Sequence, residues 1–501
     1  MKRIYKITQV ALFGAFIVGC TDLDTAPLSS TITADQKEDV VAADPSKIEA
    51  SVTAITANFT QYAKIYTEDD NVHSDIGYPT IMLATDSRTT DFVADITGYN
   101  WYSNSADYSD CLSTSTATIE FWGTLYNQIY TANAVIGTVD NETSDPTLQF
   151  YLAQALAIRA FDYFTLVQLY QFNYKGHEDA PGVPIITSEN AEEVAANGCA
   201  RSTVKETYEF ILGDLNKAIE LLANTKKTRS DKRYVSLDVA YGIRARVHLT
   251  MHNYADALKD AEAALASTSS VPYSSAAVSK PTFIDIEDAS WMWGILITDK
   301  DRVSTTGICN FPSHMGSLNY GYASVGGWRR ISPKLYNQIP ESDVRKGWFL
   351  DDTGVSVNLP AAAQAYITKK GAPVYTQVKY GPMNDEWGSN NNATDVILMR
   401  VEEMYLIKAE AQAMNNDVSG GVNTLNSFVN TYRDPSYKCT ATTGEAVQEA
   451  VWHQRRIEFW GEGLAYFDIM RLNKGVNRLG CGFPKTAVFN IVAGDPVQIY
   501  S

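Results

Sequence analysis

The chain has 501 residues, of which 45% fall in the broad hydrophobic set, 20% are charged and 11% aromatic, a balance that excludes a disordered, collagen-like or polytopic membrane protein. A formal charge of −17 and a pI near 4.8 set most of the surface against nucleic-acid phosphates and anionic lipid, while neutral ligands remain open. At about 100–200 residues per domain, the length suits either two to four units or one helical array.

Lys2, Arg3 and Lys6 precede an apolar run, Val10 to Gly19, in the order of an export signal. Ten residues cannot span a bilayer, since a crossing helix needs about 20 apolar residues. The run ends in Phe16-Ile17-Val18-Gly19-Cys20, which resembles a bacterial lipobox, although its first position usually prefers Leu. Residues 1–19 therefore read as a removed signal peptide, Cys20 as the acylated mature N-terminus, and 20–44 as a lipidated tether. The alternative is a plain secretory signal with a coincidental cysteine. Cys111, Cys199, Cys309, Cys439 and Cys481 form an odd, widely spaced set with no C-x-x-C pair, so no zinc ribbon or disulfide framework is readable. Most read as small buried hydrophobes.

The clearest helical face is Val204, Tyr208, Ile211, Leu212, Leu215, Ile219 and Leu222, with Glu209, Asp214, Lys217 and Glu220 on its other side. A helix pair follows, 240–249 and 254–265, joined at Asn253. Its second member (Asn253, Tyr254, Ala257, Leu258, Ala261, Ala264, Leu265) is spelled like the second helix of a tetratricopeptide repeat. A similar pair recurs at 401–415 and 418–430, and the segments 147–172 with 204–222, and 46–66 with 116–137, suit the same pairing. Repeats bury their faces against neighbours, so separated units must stack in space while long excursions leave the stack. The reading is mainly α: a tetratricopeptide-like scaffold at 45–266 and 396–475, a large loop-rich inserted subdomain at 267–395 rich in Gly, Pro and Trp, a smaller excursion near 69–114, and a tail at 476–501.

Several blocks along the chain resemble one family. They are the lipobox; Trp122-x-x-x-Tyr126-x-x-Ile129-x-x-Ala132-Asn133; the run from Gln154 through Arg159 to Phe164, followed by Gly182-Val183-Pro184; Ile397 through Arg400 and Glu403 to Ala411; Arg455 to Gly463; and Phe467 to Arg471. In this order they resemble the SusD/RagB family of outer-membrane nutrient-binding lipoproteins. The resemblance implies a helical-repeat frame with a ligand-binding face, tethered outside the cell and capping a SusC-like TonB-dependent transporter. It also implies oligosaccharide capture, with peptide binding or pure protein docking as the alternative.

The charged blocks read as structural: Arg455, Glu458 and Glu462 can pair along one helix face or with Arg400 and Glu403 in space. Tyr163, Phe164, Tyr170, Phe459 and Trp460 read as core. Enzyme motifs with mechanistic specificity (G-x-S-x-G, Walker A, G-x-G-x-x-G, H-E-x-x-H) are absent, so no catalytic residue and no cofactor is expected. His248 and His252 share an i, i+4 spacing without a third ligand nearby, and Asp299/Asp301 and Asp69/Asp70 lack the alternation of a calcium loop, so no metal is assigned.

A sugar offers an apolar C–H face and a rim of hydroxyls, so its recognition asks for flat aromatics beside short polar side chains. Segment 86–104 carries that mixture, and starch-binding family members use an arginine, a tryptophan and an asparagine in similar order, which implies Arg88, Trp101 and Asn104 here, with Tyr102 beside them. The second wall should come from the long excursion, where Trp291, Trp293, Tyr320, Tyr322 and Trp328 are available; Tyr320 and Trp328 are the preferred platforms. The glycine-rich stretch 316–327 leaves Tyr320 and Tyr322 few bulky neighbours.

Overall fold

The computed structural model describes residues 34–62 and 72–501, so the signal segment, Cys20 and the Asp69/Asp70 pair lie outside the described residues. The helices that build the frame are α1 (Glu49–Ala57), α2 (Tyr78–Ser87), α3 (Thr116–Ile136), α4 (Pro146–Tyr170), α5 (Val204–Asn224), α6 (Leu237–Thr250), α7 (Tyr254–Ser267), α8 (Val401–Met414), α9 (Val418–Tyr432), α10 (Gly444–Glu458) and α11 (Ala465–Arg471).

Local chemistry starts these helices where the sequence places them. Asp145 caps α4 by accepting from the Thr147 and Leu148 N–H groups, with Pro146 in the first turn, where its missing N–H has no cost. Thr203 and Glu206 form a reciprocal capping box on α5. Helix α4 is buried nearly all round, the signature of a central helix, and it packs between α3 and α5. The expected face of α5 is buried, and Asp214, on the side opposite it, is also only 7% exposed. Its carboxylate receives Arg159 Nε and Nη2, each at 2.8 Å, because α4 carries that guanidinium on the flank α5 covers.

Packing continues from α5 to α6, α6 to α7, and α7 to α8, which in turn carries α9 and α10. Repeats far apart in sequence thus stack in space through the α7–α8 contact. Ala257, Ala261 and Ala264 of α7, which packs against both α6 and α8, are fully buried, and a Cβ on Gly421 of α9 would come within 2.6 Å of the Ala409 carbonyl of α8.

Two short antiparallel sheets tie the excursions down. β2 (Trp291–Ile295) pairs with β4 (Val396–Arg400), closing the long excursion onto the frame just before α8. β1 (Phe92–Ala94) pairs with β3 (Arg329–Ile331), with Phe92 opposite Ile331, so the small excursion is hydrogen-bonded to the long one. Trp291 and Trp293 have no exposed surface, which corrects their reading as available platforms: both lie on the strand packed over the helices. The tail holds Arg478, fully buried, which donates to the carbonyls of Thr89 at 3.0 Å and Ser87 at 2.6 Å, and Tyr500, whose N–H reaches Leu169 O at 2.9 Å.

The charged blocks meet in the interior, mostly across elements instead of along one helix. Glu458 accepts from Arg433 Nε at 2.7 Å, Arg400 Nη1 at 3.1 Å and Arg345 Nη1 at 3.3 Å. Glu462 accepts from Arg400 Nη2 at 2.8 Å and Lys379 Nζ at 2.6 Å. Arg455 binds Asp468 at 2.7 Å and approaches Glu403 at 3.5 Å. Burial would push the Glu458 carboxyl up, but Arg433, Arg400 and Arg345 together hold it well below the usual carboxylate range. Arg345 and Lys379 belong to the long excursion, so this network also fastens it to the frame. Tyr163, Phe164, Tyr170, Phe459 and Trp460 are all core, as their helical spacing predicts.

Candidate ligand-binding site

The strand pair β1–β3 brings the loop after β1 beside the loop before β3. Two fully buried links complete the junction. Arg329 donates from Nε to His314 O at 2.8 Å and from Nη1 to Asn100 Oδ1 at 2.8 Å, while Asn100 Oδ1 also receives the Tyr102 N–H at 3.1 Å. Glycine is required where the loops touch: Gly326 has a φ of +149°, and a Cβ there would lie 2.6 Å from the Tyr99 ring, while one on Gly327 would lie 2.8 Å from Tyr99 O.

Trp101 emerges at this junction with 37% of its surface exposed. One side of the indole is backed by His73, with centroids 4.9 Å apart and planes 29° apart, and the Tyr322 ring stands edge-on at 6.1 Å. His73 Nδ1 is hydrogen-bonded to the Tyr322 hydroxyl, and the Tyr322 ring stacks on His314 at 5.0 Å. His314 donates from Nε2 to the His73 carbonyl at 2.9 Å; burial lowers its pKa to about 3, so the ring is neutral. Burial also lowers the His73 pKa. The platform is therefore a braced, uncharged aromatic group. Tyr99 and Tyr320 are about half exposed on the same two loops, and Asn104 is exposed.

Four of the six expected ligand contacts need individual placement. Arg88 is fully buried: it pairs with Asp110 at 2.5 Å, donates to Val497 O, and lies between the rings of Tyr108 and Tyr500 at 4.2 and 4.4 Å. It is a structural residue, which corrects the carry-over from the family order. Trp328 is also corrected, being 7% exposed and packed with Leu318, Leu350, Ile367 and Val378 in a satellite core. Tyr102 is 3% exposed and sets its ring edge-on to His314, so it is no surface platform. Tyr320 is open, its backbone held by Tyr320 N–H to Ser389 O at 2.9 Å. His73 escaped the sequence reading altogether: it meets Tyr322 across 249 residues, and no local pattern announces such a contact.

Beneath Trp101 lies a pocket of about 40 Å³ rimmed by Trp101, Asn104 and Thr116 and floored by Ser74, Thr80, Tyr102 and Glu120. Two acids line it: Asp110, paired with Arg88, and Glu120, which is 2% exposed and receives only the Ser74 hydroxyl at 3.5 Å among the described contacts. Burial and then the neighbouring Asp75 charge raise the Glu120 pKa well above the usual carboxylate range. Elsewhere, His248 faces Asp260 at 3.8 Å while His252 contacts Arg471 O at 2.8 Å, and among the described residues no group of three or more His, Cys, Asp or Glu is placed to hold a metal.

Comparison with known proteins agrees with this architecture. A family model described as "Starch-binding associating with outer membrane" matches residues 35–249, and the SusD family model matches 339–485. The chain belongs to the SusD/RagB family. SusD-like protein P2 of Formosa agariphila is 25% identical over 392 residues, 71% of this chain and 72% of that protein; SusD-like protein P38 of the same organism is 23% identical, covering 72% and 73%. A SusD-like carbohydrate binding protein from Bacteroides vulgatus superposes with a TM-score of 0.73 at 23% identity, over 91% of this chain and 94% of that one. A SusD superfamily protein from Bacteroides thetaiotaomicron gives 0.72 at 21% identity, over 90% and 95%. At these identities the solved structures establish the shared SusD fold. No helix among the described residues is long and apolar enough to cross a membrane.

Proposed function

We propose that this SusD/RagB member is a non-catalytic, lipid-anchored protein of the outer-membrane surface that binds an oligosaccharide and delivers it to a SusC-like TonB-dependent transporter. The observation that carries the reading is the half-open Trp101 ring, braced from behind by His73 and flanked at an angle by Tyr322. A braced indole loses little freedom when a pyranose covers it, and it meets the sugar's C–H face without demanding charge. Tyr99, Tyr320 and Asn104 add exposed rings and an amide around it. The family description as starch-binding and outer-membrane-associated supports a glycan over a peptide, and the lipobox ending at Cys20 supports the anchor.

A few stacked rings and neutral hydrogen bonds give affinities of about micromolar or weaker. Isothermal titration against a panel of glycans tests the reading, with Trp101→Ala as the control that removes the platform. Binding by the parent and none by the variant is expected. Silence across the panel together with peptide binding would replace the ligand class, and release of reducing ends by the purified protein would replace the non-catalytic assignment.

A further inference from the structure

The pocket under Trp101 contains two polar groups that the folded chain satisfies poorly. The Tyr102 hydroxyl is buried without a well-formed hydrogen bond, since its neighbour Thr80 already donates to Ser74 O and accepts from the Ile76 N–H at 3.0 Å, an arrangement native interiors avoid unless something else completes it. Glu120 lines the same pocket with one long contact from Ser74, and no lysine or arginine is among the lining residues. Burial raises the pKa of both groups and so favours the protonated phenol and the protonated carboxyl. A phenol and a carboxylic acid side by side suit a partner that both donates and accepts, which is what an alcohol does.

Size narrows the ligand further. A water-sized group needs about 10–15 Å³ of such space, so about 40 Å³ admits two or three non-hydrogen atoms and not a sugar ring. The ring must stay outside, at the rim, where Trp101 is exposed. A carboxylate or sulfate substituent would lose its water in a pocket whose lining holds Asp110 and Glu120 and no cation.

Resting on the reading of Trp101 as a sugar platform, we propose that this pocket is a subsite for the uncharged hydroxymethyl group of a hexose, held by Tyr102 and Glu120, and that it selects neutral hexoses over pentoses and uronic acids.

Saturation-transfer NMR on the purified protein tests this with methyl glucoside, galactoside and mannoside, each against the pentoside that lacks only the hydroxymethyl group (xyloside, arabinoside, lyxoside). At least one hexoside should bind about tenfold more tightly than its pentoside, the scale of one or two neutral hydrogen bonds. Tyr102→Phe should erase that preference with little change in melting temperature, because the hydroxyl it removes makes no well-formed internal hydrogen bond. Equal binding within each pair, with both lost in Trp101→Ala, would overturn the subsite and leave the platform standing. Crystals soaked in ethylene glycol supply an arm that needs no sugar site: a diol oxygen on Tyr102 Oη and Glu120 is expected, and water alone in the pocket would overturn the assignment. Silence from every glycoside beside a diol in the pocket would instead remove the glycan reading and keep the pocket's chemistry.

Discussion

Arg329 Nη1, at the start of β3, donates to Asn100 Oδ1 at 2.8 Å across 229 residues of chain, and neither residue is exposed by more than 4%. This bond sets the position of Trp101, the residue after Asn100, because the same Asn100 oxygen receives the Tyr102 N–H. Asn100→Ala leaves a buried guanidinium short of an acceptor, at a cost of about 2–3 kcal/mol. Both a lower melting temperature and weaker glycan binding are expected, the second measured well below the melting transition. Unchanged affinity in a folded Asn100→Ala protein would show that the platform does not depend on this bond.

Arg88 and Trp101 separate structure from recognition. Arg88→Met strands Asp110 in the interior and removes the filling between Tyr108 and Tyr500, so a loss of about 3–5 kcal/mol is expected, read by denaturant unfolding. Trp101→Ala removes a partly exposed ring and should shift stability by about 1 kcal/mol while abolishing binding. If Arg88→Met instead folds normally and loses only affinity, the buried position is not what governs that residue.

Much of the frame was legible in the sequence because helical spacing reports burial directly: the α5 face and the alanine seam of α7 follow the 3.6-residue period, and stacking of the two separated repeats follows from their need for neighbours. Loops carry no such period. Arg88, Trp101 and Trp328 look equally eligible in the sequence, yet one is sandwiched by rings, one is open and one fills a satellite core. What separates them is contact with residues far along the chain, Val497 and Tyr500 for Arg88 and Tyr322, with the nearer His73, for Trp101. The burial of Asp214 is hidden for the same reason, its partner Arg159 being on another helix.

The Glu458 network predicts an acid limb in stability. Its folded pKa is depressed below the ordinary 4.5, so its contribution is fully present above that value and is lost as pH falls beneath it toward the folded pKa. Melting temperature should therefore drop below about pH 4.5 more steeply for the parent than for Glu458→Gln. The variant leaves three arginines short of a charge and should already be about 3–5 kcal/mol less stable at pH 7. Parallel acid limbs in the two proteins would place the acid sensitivity elsewhere.

Asp86 works with the opposite sign. It is 2% exposed at the end of α2, and burial raises its pKa from 3.8 to about 7, although the Gly463 N–H at 3.0 Å and the Lys379 charge pull it down. The unfolded chain ionises near 3.8 while the folded chain holds the proton to about 7, so stability is greatest below 3.8 and declines as pH rises across that window, with no further loss above it. Asp86→Asn keeps an oxygen for the Gly463 N–H and has nothing to ionise. Its melting temperature relative to the parent should therefore be higher at pH 8 than at pH 4, by several degrees at the scale of about 2–4 °C per kcal/mol. An offset of equal size at both pH values would mean that Asp86 is ionised throughout, with Lys379 as its effective counter-charge.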